Sequence, residues 1–385
     1  MRPIAAGVRR IEGLGVALPP FVASKAIAVL VPMATVWARS TGVGVPAASA
    51  FTQPFALWDG RAYAQIAAQG YPSGPLSVAL NSPDYVWARF PGYPLLVHLV
   101  SYLVPSTIAA GIVVSAVCEL IALVFLAKLV LHERPGDQAA ARFACWGLAV
   151  FPYAFYLTAV YTESAFLAAA IGSLYYMRRG QDGRASVLAA AAIFIHVTGL
   201  ALVPAMVVEH LMRRRGRPGP GLVAILASLL ALAVFAAYSW LLTGDALAYV
   251  HIAQSQSFDR VLTWPWDGAR ATWGAFVSGP GGNSFIFGME MLFGVGGLVA
   301  VLWMASRRRS IAPSLTVYAA GLWVMATAVV YWLGTPRFEM TAVPIYLLAA
   351  DLTRGHPRAR PVVIAASAGW MGFICTLVAT GQFVA

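Results

Sequence analysis

Lysine is almost missing from this chain. Lys25 and Lys128 are the only two, so arginine carries nearly all of the positive charge. Acidic residues are few as well, 15 in all, and charged residues together make up 11% of the 385 positions, against roughly 25% in a soluble domain. A soluble core of this size would need far more polar surface, so that class is excluded. The three cysteines, Cys118, Cys145 and Cys375, lie in apolar segments without metal-ligand spacing, which excludes a disulfide framework and a zinc site. There is no phosphate-cradling glycine motif, Walker sequence or Rossmann fingerprint, so neither ATP-driven transport nor nucleotide-sugar binding on a soluble domain is supported. Heptads, internal repeats and low-complexity segments are absent too, and the N-terminal residues lack a small-residue cleavage site, reading as a short basic cytoplasmic tail.

What fills the chain is apolar: 60% of it is hydrophobic. Runs of about 20 residues are long enough to cross a hydrocarbon core near 30 Å thick. Crossings are expected at about 21–42, 105–131, 141–158, 160–177, 221–242, 284–305, 314–334, 340–353 and 361–384. The formal charge of +11 falls in short arginine clusters between these runs: Arg9-Arg10, Arg178-Arg179, Arg213 to Arg217, Arg307 to Arg309 and Arg354 to Arg360. That is the pattern of cytoplasmic loops beside anionic lipid, not a nucleic-acid face. The stretch 185–211 is apolar but flanked by basic clusters on both sides. A single crossing would put one cluster outside, whereas a hairpin with its tip at 194–199 keeps both inside. Gly199 and Pro204 make the break plausible, since broken helices are tolerated where they line a polar cavity.

The expectation is therefore an all-α polytopic membrane protein, a single domain over 1–385. Its first outer loop, 43–94, is too long for a featureless connector. It carries Trp58, Tyr63, Tyr71, Tyr85, Trp87 and Tyr93 and reads as short interfacial helices. A second outer loop covers 243–283. In this arrangement the chemically capable residues gather on one face. Asp59, in Trp58-Asp59-Gly60, is a candidate general base, although an Asp before Gly-Arg-Ala would also serve as a plain helix cap. Glu163 starts the fourth crossing. Arg337 and His196 are candidates for holding a phosphate leaving group. His251 follows Gly244-Asp245 and is a further phosphate candidate, and Trp264 and Trp266 suit a sugar or lipid or an interfacial belt. Glu119 lies inside the second crossing, where a carboxylate normally faces protein or water. Asp84 and Asp259 fall in the two outer loops, and Glu290 and Glu339 near the outer ends of their helices. Glu12, Glu133, Asp137, Asp182, Glu209 and Asp351 read as solvated charges on the cytoplasmic side.

Several motifs recur in a shared order: Trp58-Asp59-Gly60 with Tyr63 and Gly70-Tyr71; Phe90-Pro91-Gly92-Tyr93-Pro94; Phe151-Pro152 followed by Tyr161-Thr162-Glu163-Ser164; Thr198-Gly199-Leu200 with Pro204; Gly244-Asp245 leading to Trp264-Pro265-Trp266; and Pro336-Arg337-Phe338. In this order the chain resembles the PIG-V-like mannosyltransferases, bacterial relatives of the second mannosyltransferase of GPI-anchor synthesis, in the GT-C class of integral-membrane glycosyltransferases. The resemblance implies a GT-C-type bundle of about 9–11 transmembrane helices. It implies inverting transfer of a sugar, expected to be mannose, from a polyprenyl-phosphate donor on the non-cytoplasmic face of the cell membrane. It further implies Asp59 as base and Glu163 and Arg337 as site residues; beside these, the reading of the residues puts Trp58, Tyr63, His196 and His251 on the substrate side. Relatives often have an arginine shortly before the Thr-Gly of the hairpin where this chain has His196. The implied partners are the polyprenyl-phosphate-sugar donor, a glycolipid, glycan or protein acceptor, and membrane lipid, with no nucleic acid. No cofactor is expected, and a divalent metal stays open. The competing reading is a transporter or flippase of lipid-linked sugar, which would favour repeats related by pseudo-symmetry and a midplane site.

Overall fold

The computed structural model describes all residues except 1, 42–46, 81–82, 256–259, 280 and 385; the side chains of 2–12, 78–79, 83–84 and 281–283 are also outside the description. Asp259, and the side chains of Glu12, Asp84, Arg9 and Arg10, therefore lie outside the described residues. In chain order the helices are α1 (Arg2–Ser40), α2 (Ala48–Thr52), α3 (Asp59–Gln69), α4 (Leu76–Leu80), α5 (Gly92–Ser101), α6 (Thr107–Glu133), α7 (Gln138–Ala149), α8 (Glu163–Arg178), α9 (Asp182–Ile195), α10 (Leu202–Arg213), α11 (Pro220–Ala227), α12 (Leu230–Thr243), α13 (Ala248–Ala253), α14 (Pro265–Ser278), α15 (Gly281–Ser306), α16 (Pro313–Thr327), α17 (Thr335–Thr341), α18 (Pro344–Leu352) and α19 (Ala359–Ala379). Among the described residues the only extended pairing is an isolated bridge, Leu262 to Val329. The all-α membrane architecture expected from the sequence is what the chain adopts.

Among the described residues five helical stretches are long and apolar enough to cross a membrane: Gly13–Ser40, Thr107–Glu133, Pro220–Thr243, Ser284–Ser306 and Ala359–Ala379. The first begins well before residue 21, because helix runs unbroken through the stretch read as a basic tail. The other apolar stretches form shorter helices packed inside this wall. α8 is the central one, and nearly every residue from Glu163 to Leu174 is buried. The region 43–94 holds α2, α3 and α4 with two 3-10 turns, as its aromatic content suggested.

Between α7 and α8 the chain leaves helix. Pro152 cannot donate a backbone bond and restricts Phe151 before it, so α7 ends at Ala149. Residues 150–162 are almost wholly buried, and buried backbone needs partners. Val160 donates to the Phe55 carbonyl at 2.8 Å. The Ala159 carbonyl accepts from Ser115 Oγ at 2.8 Å, which in turn pairs with Tyr93 Oη at 2.9 Å. Lys25 bonds Thr158 Oγ1 and forms an ion pair with Glu119. One of the two lysines thus neutralises the carboxylate inside α6, which answers the cost of a lone charge there. Gly111 leaves room for Val160, whose Cγ1 would stand 2.8 Å from an added Cβ.

The stretch 185–211 folds as a hairpin. α9 ends at Ile195, a 3-10 turn covers Val197–Ala201, and α10 returns. Its two ends meet: Asp182 bonds His210 Nδ1 at 2.7 Å and Arg213 Nη2 at 2.6 Å. A single crossing would separate these residues by the length of the helix. Gly199 sits at the fold, where an added Cβ would come 2.5 Å from the Ile193 nitrogen.

Of the charges read as solvated, Glu133, Asp137, Asp182, Glu209 and Asp351 are instead paired at this end of the bundle. Arg178 bonds Glu133 at 2.8 Å and Glu209 at 2.6 Å, Glu209 also accepts from Ser314 at 2.6 Å, and Arg134 grips Asp351 at 2.5 Å. Asp137 caps α7 through the Ala140 amide and faces Arg354 at 3.7 Å. The side chains of these carboxylates are 8–23% exposed, and each is matched by a guanidinium partner.

Candidate active site

Asp59 is the first residue of α3, not its cap. Trp58 holds the cap position at φ 48°, with no side-chain hydrogen bond to the helix. The positive φ at Trp58 is costly for a bulky residue. Oδ1 accepts from Arg89 Nη2 at 2.5 Å, and Oδ2 faces Arg337 Nη2 at 3.5 Å. The capping role is therefore replaced by a double ion pair.

Glu163 begins α8, directly after the buried irregular segment. Its Oε1 lies 3.2 Å from Arg337 Nη1. Arg337 so bridges the two carboxylates, and its guanidinium carbon stands 5.0 Å from the Tyr156 ring centre and 5.5 Å from that of Tyr161. Its Nε is buried without a hydrogen-bond partner. Arg337 is itself held by its own short helix. Glu290, fully buried on α15, accepts from the amides of Gly334 and Thr335 at 2.8 Å each and from the Thr335 hydroxyl. Gly334 adopts φ 91°, which favours glycine, and lets the chain enter α17 at this angle.

Asp59, Tyr63, Thr162, Glu163, Phe166, His196, Thr198, Arg337, Phe338 and Thr341 line one small cleft of about 40 Å³. His196 closes α9 and pairs through Nδ1 with Thr198 Oγ1 at 2.7 Å. Of the residues expected from the sequence, Asp59, Tyr63, Glu163, His196 and Arg337 come together. Trp58 stands beside them but packs its ring edge-on to Phe383, with centroids 5.3 Å apart. His251 does not join. It is exposed and bonded to Asp245 at 2.6 Å within its own loop. Trp264 and Trp266 stack on each other at 4.9 Å and are 64% and 61% exposed, away from the cleft, in keeping with an interfacial belt.

Two arginines escaped sequence reasoning. Arg89, in Trp87-Ala88-Arg89-Phe90, is buried and grips Asp59. Arg260 donates to the Leu333 carbonyl at 2.9 Å, beside the bridge joining 261–263 to 328–330. The available signal was a charge inside an aromatic run for Arg89; Arg260 had none. Burial opposes ionisation of Asp59, but the guanidiniums of Arg89, Arg337 and Arg260 outweigh it and hold the carboxyl below its ordinary value. Among the described residues no group of three or more His, Cys, Asp or Glu side chains is arranged to hold a metal ion.

A second cavity, about 520 Å³ and mostly apolar, lies between α3, α5, the end of α9 and α12, with Ile66, Tyr71, Leu95, Phe194, Phe235 and Tyr238 among its walls.

No protein-family model matches the chain, nor does the sequence of any curated protein. Two similar solved structures are of an archaeal oligosaccharyltransferase. One is the Archaeoglobus fulgidus enzyme tethered by a disulfide to an acceptor peptide containing the NVT sequon, with 12% identity and a TM-score of 0.46 over 97% of this chain and 55% of that one. The other is AglB from Archaeoglobus fulgidus in complex with an inhibitory peptide and a dolichol-phosphate, with 14% identity and a TM-score of 0.42 over 96% and 56%. This chain spans just over half the length of each.

Proposed function

We propose that the chain is a membrane glycosyltransferase of the GT-C class that moves a sugar, mannose by resemblance, from a polyprenyl-phosphate carrier to an acceptor hydroxyl on the non-cytoplasmic face. The observation that carries this reading is the convergence of Asp59, Glu163, His196 and Arg337, from four distant stretches of sequence, on one cleft at the end of the bundle opposite the paired ionic network. A transporter would favour a site near the membrane midplane between pseudo-symmetric repeats, whereas this cleft lies at one end of the bundle.

In the proposed reaction the acceptor oxygen attacks the anomeric carbon and its proton passes to Asp59. The bond from that carbon to the phosphate oxygen breaks with inversion, and the electron pair leaves on polyprenyl phosphate. Arg337 takes up the developing phosphate charge, for which its planar fork is suited. Glu163 keeps Arg337 aimed into the cleft. Arg337 lies between Asp59 and Glu163 on the cleft wall, so donor phosphate binding is expected to draw it off these carboxylates. Incubating purified protein, reconstituted in sealed vesicles, with polyprenyl-phosphate mannose and acceptors from a membrane extract tests the reading. A mannosylated product identified by mass is expected. Donor that crosses the bilayer intact, with no product formed, would turn the assignment to transport.

A further inference from the structure

The two guanidiniums on Asp59 grip it unequally. Charge-assisted N–H···O bonds run about 2.7–2.9 Å. The Arg89 contact, 2.5 Å, is tight, whereas Arg337 stands 3.5 Å from Asp59 and 3.2 Å from Glu163. Arg337 lines the cleft and Arg89 does not. Arg89 stands behind Asp59, its side chain 8% exposed, its Nη1 donating to the Ala88 carbonyl at 3.0 Å, and its own carbonyl accepting from Tyr71 Oη at 2.8 Å.

We propose that Arg89 is the positioning residue of this site: it holds Asp59 through Oδ1, so that Arg337 can leave Oδ2 for the phosphate of a donor while the base stays in place. This rests on the reading of Asp59 as the base. Arg89 also sets how strongly Asp59 binds a proton, since a guanidinium in contact favours the carboxylate form. The other groups facing Asp59 are Arg337 and Arg260, the carboxylate of Glu163, Tyr63, Tyr156 and Tyr161, and His196. None of them contacts Oδ1 as Arg89 does.

The titration midpoint of Asp59 can be read on the purified full chain by infrared difference spectroscopy of its carboxyl stretch, identified by its loss in Asp59→Asn. Arg89→Gln should raise that midpoint by about 1–3 pH units. Turnover of polyprenyl-phosphate mannose in membranes should fall about 10²-fold, the scale of a misplaced catalytic group, at unchanged donor KM. Arg89→Lys should bring back part of both. An unchanged midpoint in folded Arg89→Gln overturns the assignment. Should that variant fail to fold, Arg89→Lys decides: partial loss of turnover at constant donor KM supports the role, and a raised donor KM with wild-type turnover overturns it. Full turnover in Asp59→Asn would instead sink the base itself. Loss of turnover in Asp59→Asn beside a wild-type midpoint in Arg89→Gln would sink only the part given to Arg89.

Discussion

Asp59 is an ionised carboxylate wedged between cations, and that shapes what its replacement should do. Asp59→Asn keeps shape and hydrogen bonding but cannot take a proton, so turnover should fall by roughly 10²–10⁴-fold with the fold intact; wild-type turnover in a folded variant would end the claim. Because the folded pKa is depressed, activity that needs the carboxylate should persist through mildly acid pH and fail only below the ordinary aspartate range. The same shift contributes stability above the unfolded value near 3.9, lost as pH falls through the folded value; a pH series of turnover and of unfolding midpoints checks both. Arg337→Ala should raise the donor KM more than the acceptor KM, and Arg337→Lys should recover only part, lacking the planar fork. An unchanged donor KM in both would remove Arg337 from the site. At this scale the sequence marked Asp59 in a polar loop and Glu163 and Arg337 at short turns between apolar runs, and the fold sets the three on one cleft. His251, marked as well, lies apart and is bonded to its neighbour Asp245. The sequence was silent at Arg89, since nothing in the spacing ties that residue to Asp59 thirty positions earlier.

The element that decides the site is the buried stretch 150–162, non-helical apart from a 3-10 turn at Ala154–Leu157, which carries Tyr156 and Tyr161 and leads into Glu163. Its anchor is the Lys25–Glu119 pair, with side chains 18% and 0% exposed. Removing one partner of such a pair costs about 3–5 kcal/mol, while replacing both by apolar groups is often neutral. Lys25→Met alone should therefore lower the melting temperature in detergent sharply, and Lys25→Met with Glu119→Leu should restore most of it. Equal melting points for the single and double variants would show that the pair does not anchor the segment. The hairpin of α9 and α10 was legible, because two basic clusters cannot both stay on one side of a single crossing. The shortness of α7, α16 and α18 was not. Apolar composition gives the extent of a buried stretch, whereas the breaks at Pro152 and Pro344 depend on what surrounds the chain there.

The whole molecule has two polar ends, the cleft and the ionic network around Arg178, joined by α8, α9 and α10. With the cleft on the non-cytoplasmic side, a cysteine at position 251 should react with an impermeant thiol reagent from outside and one at 214 only from inside. Both positions are exposed, so labelling of position 214 from outside would reverse the orientation. α8 has one further consequence. Its 16 residues span roughly 23 Å at 1.5 Å per residue, less than the roughly 30 Å of a hydrocarbon core. Carrying Arg178 at one end and Glu163 at the other, α8 sets the cleft less than a hydrocarbon thickness from the ionic network. With that network at one membrane face, an acceptor from the other face has to reach inward, which favours a slender group, a glycan tip or a lipid headgroup, over a broad, rigid one. Acceptor sugars fixed to beads should accordingly be inert on short tethers and become competent on longer ones.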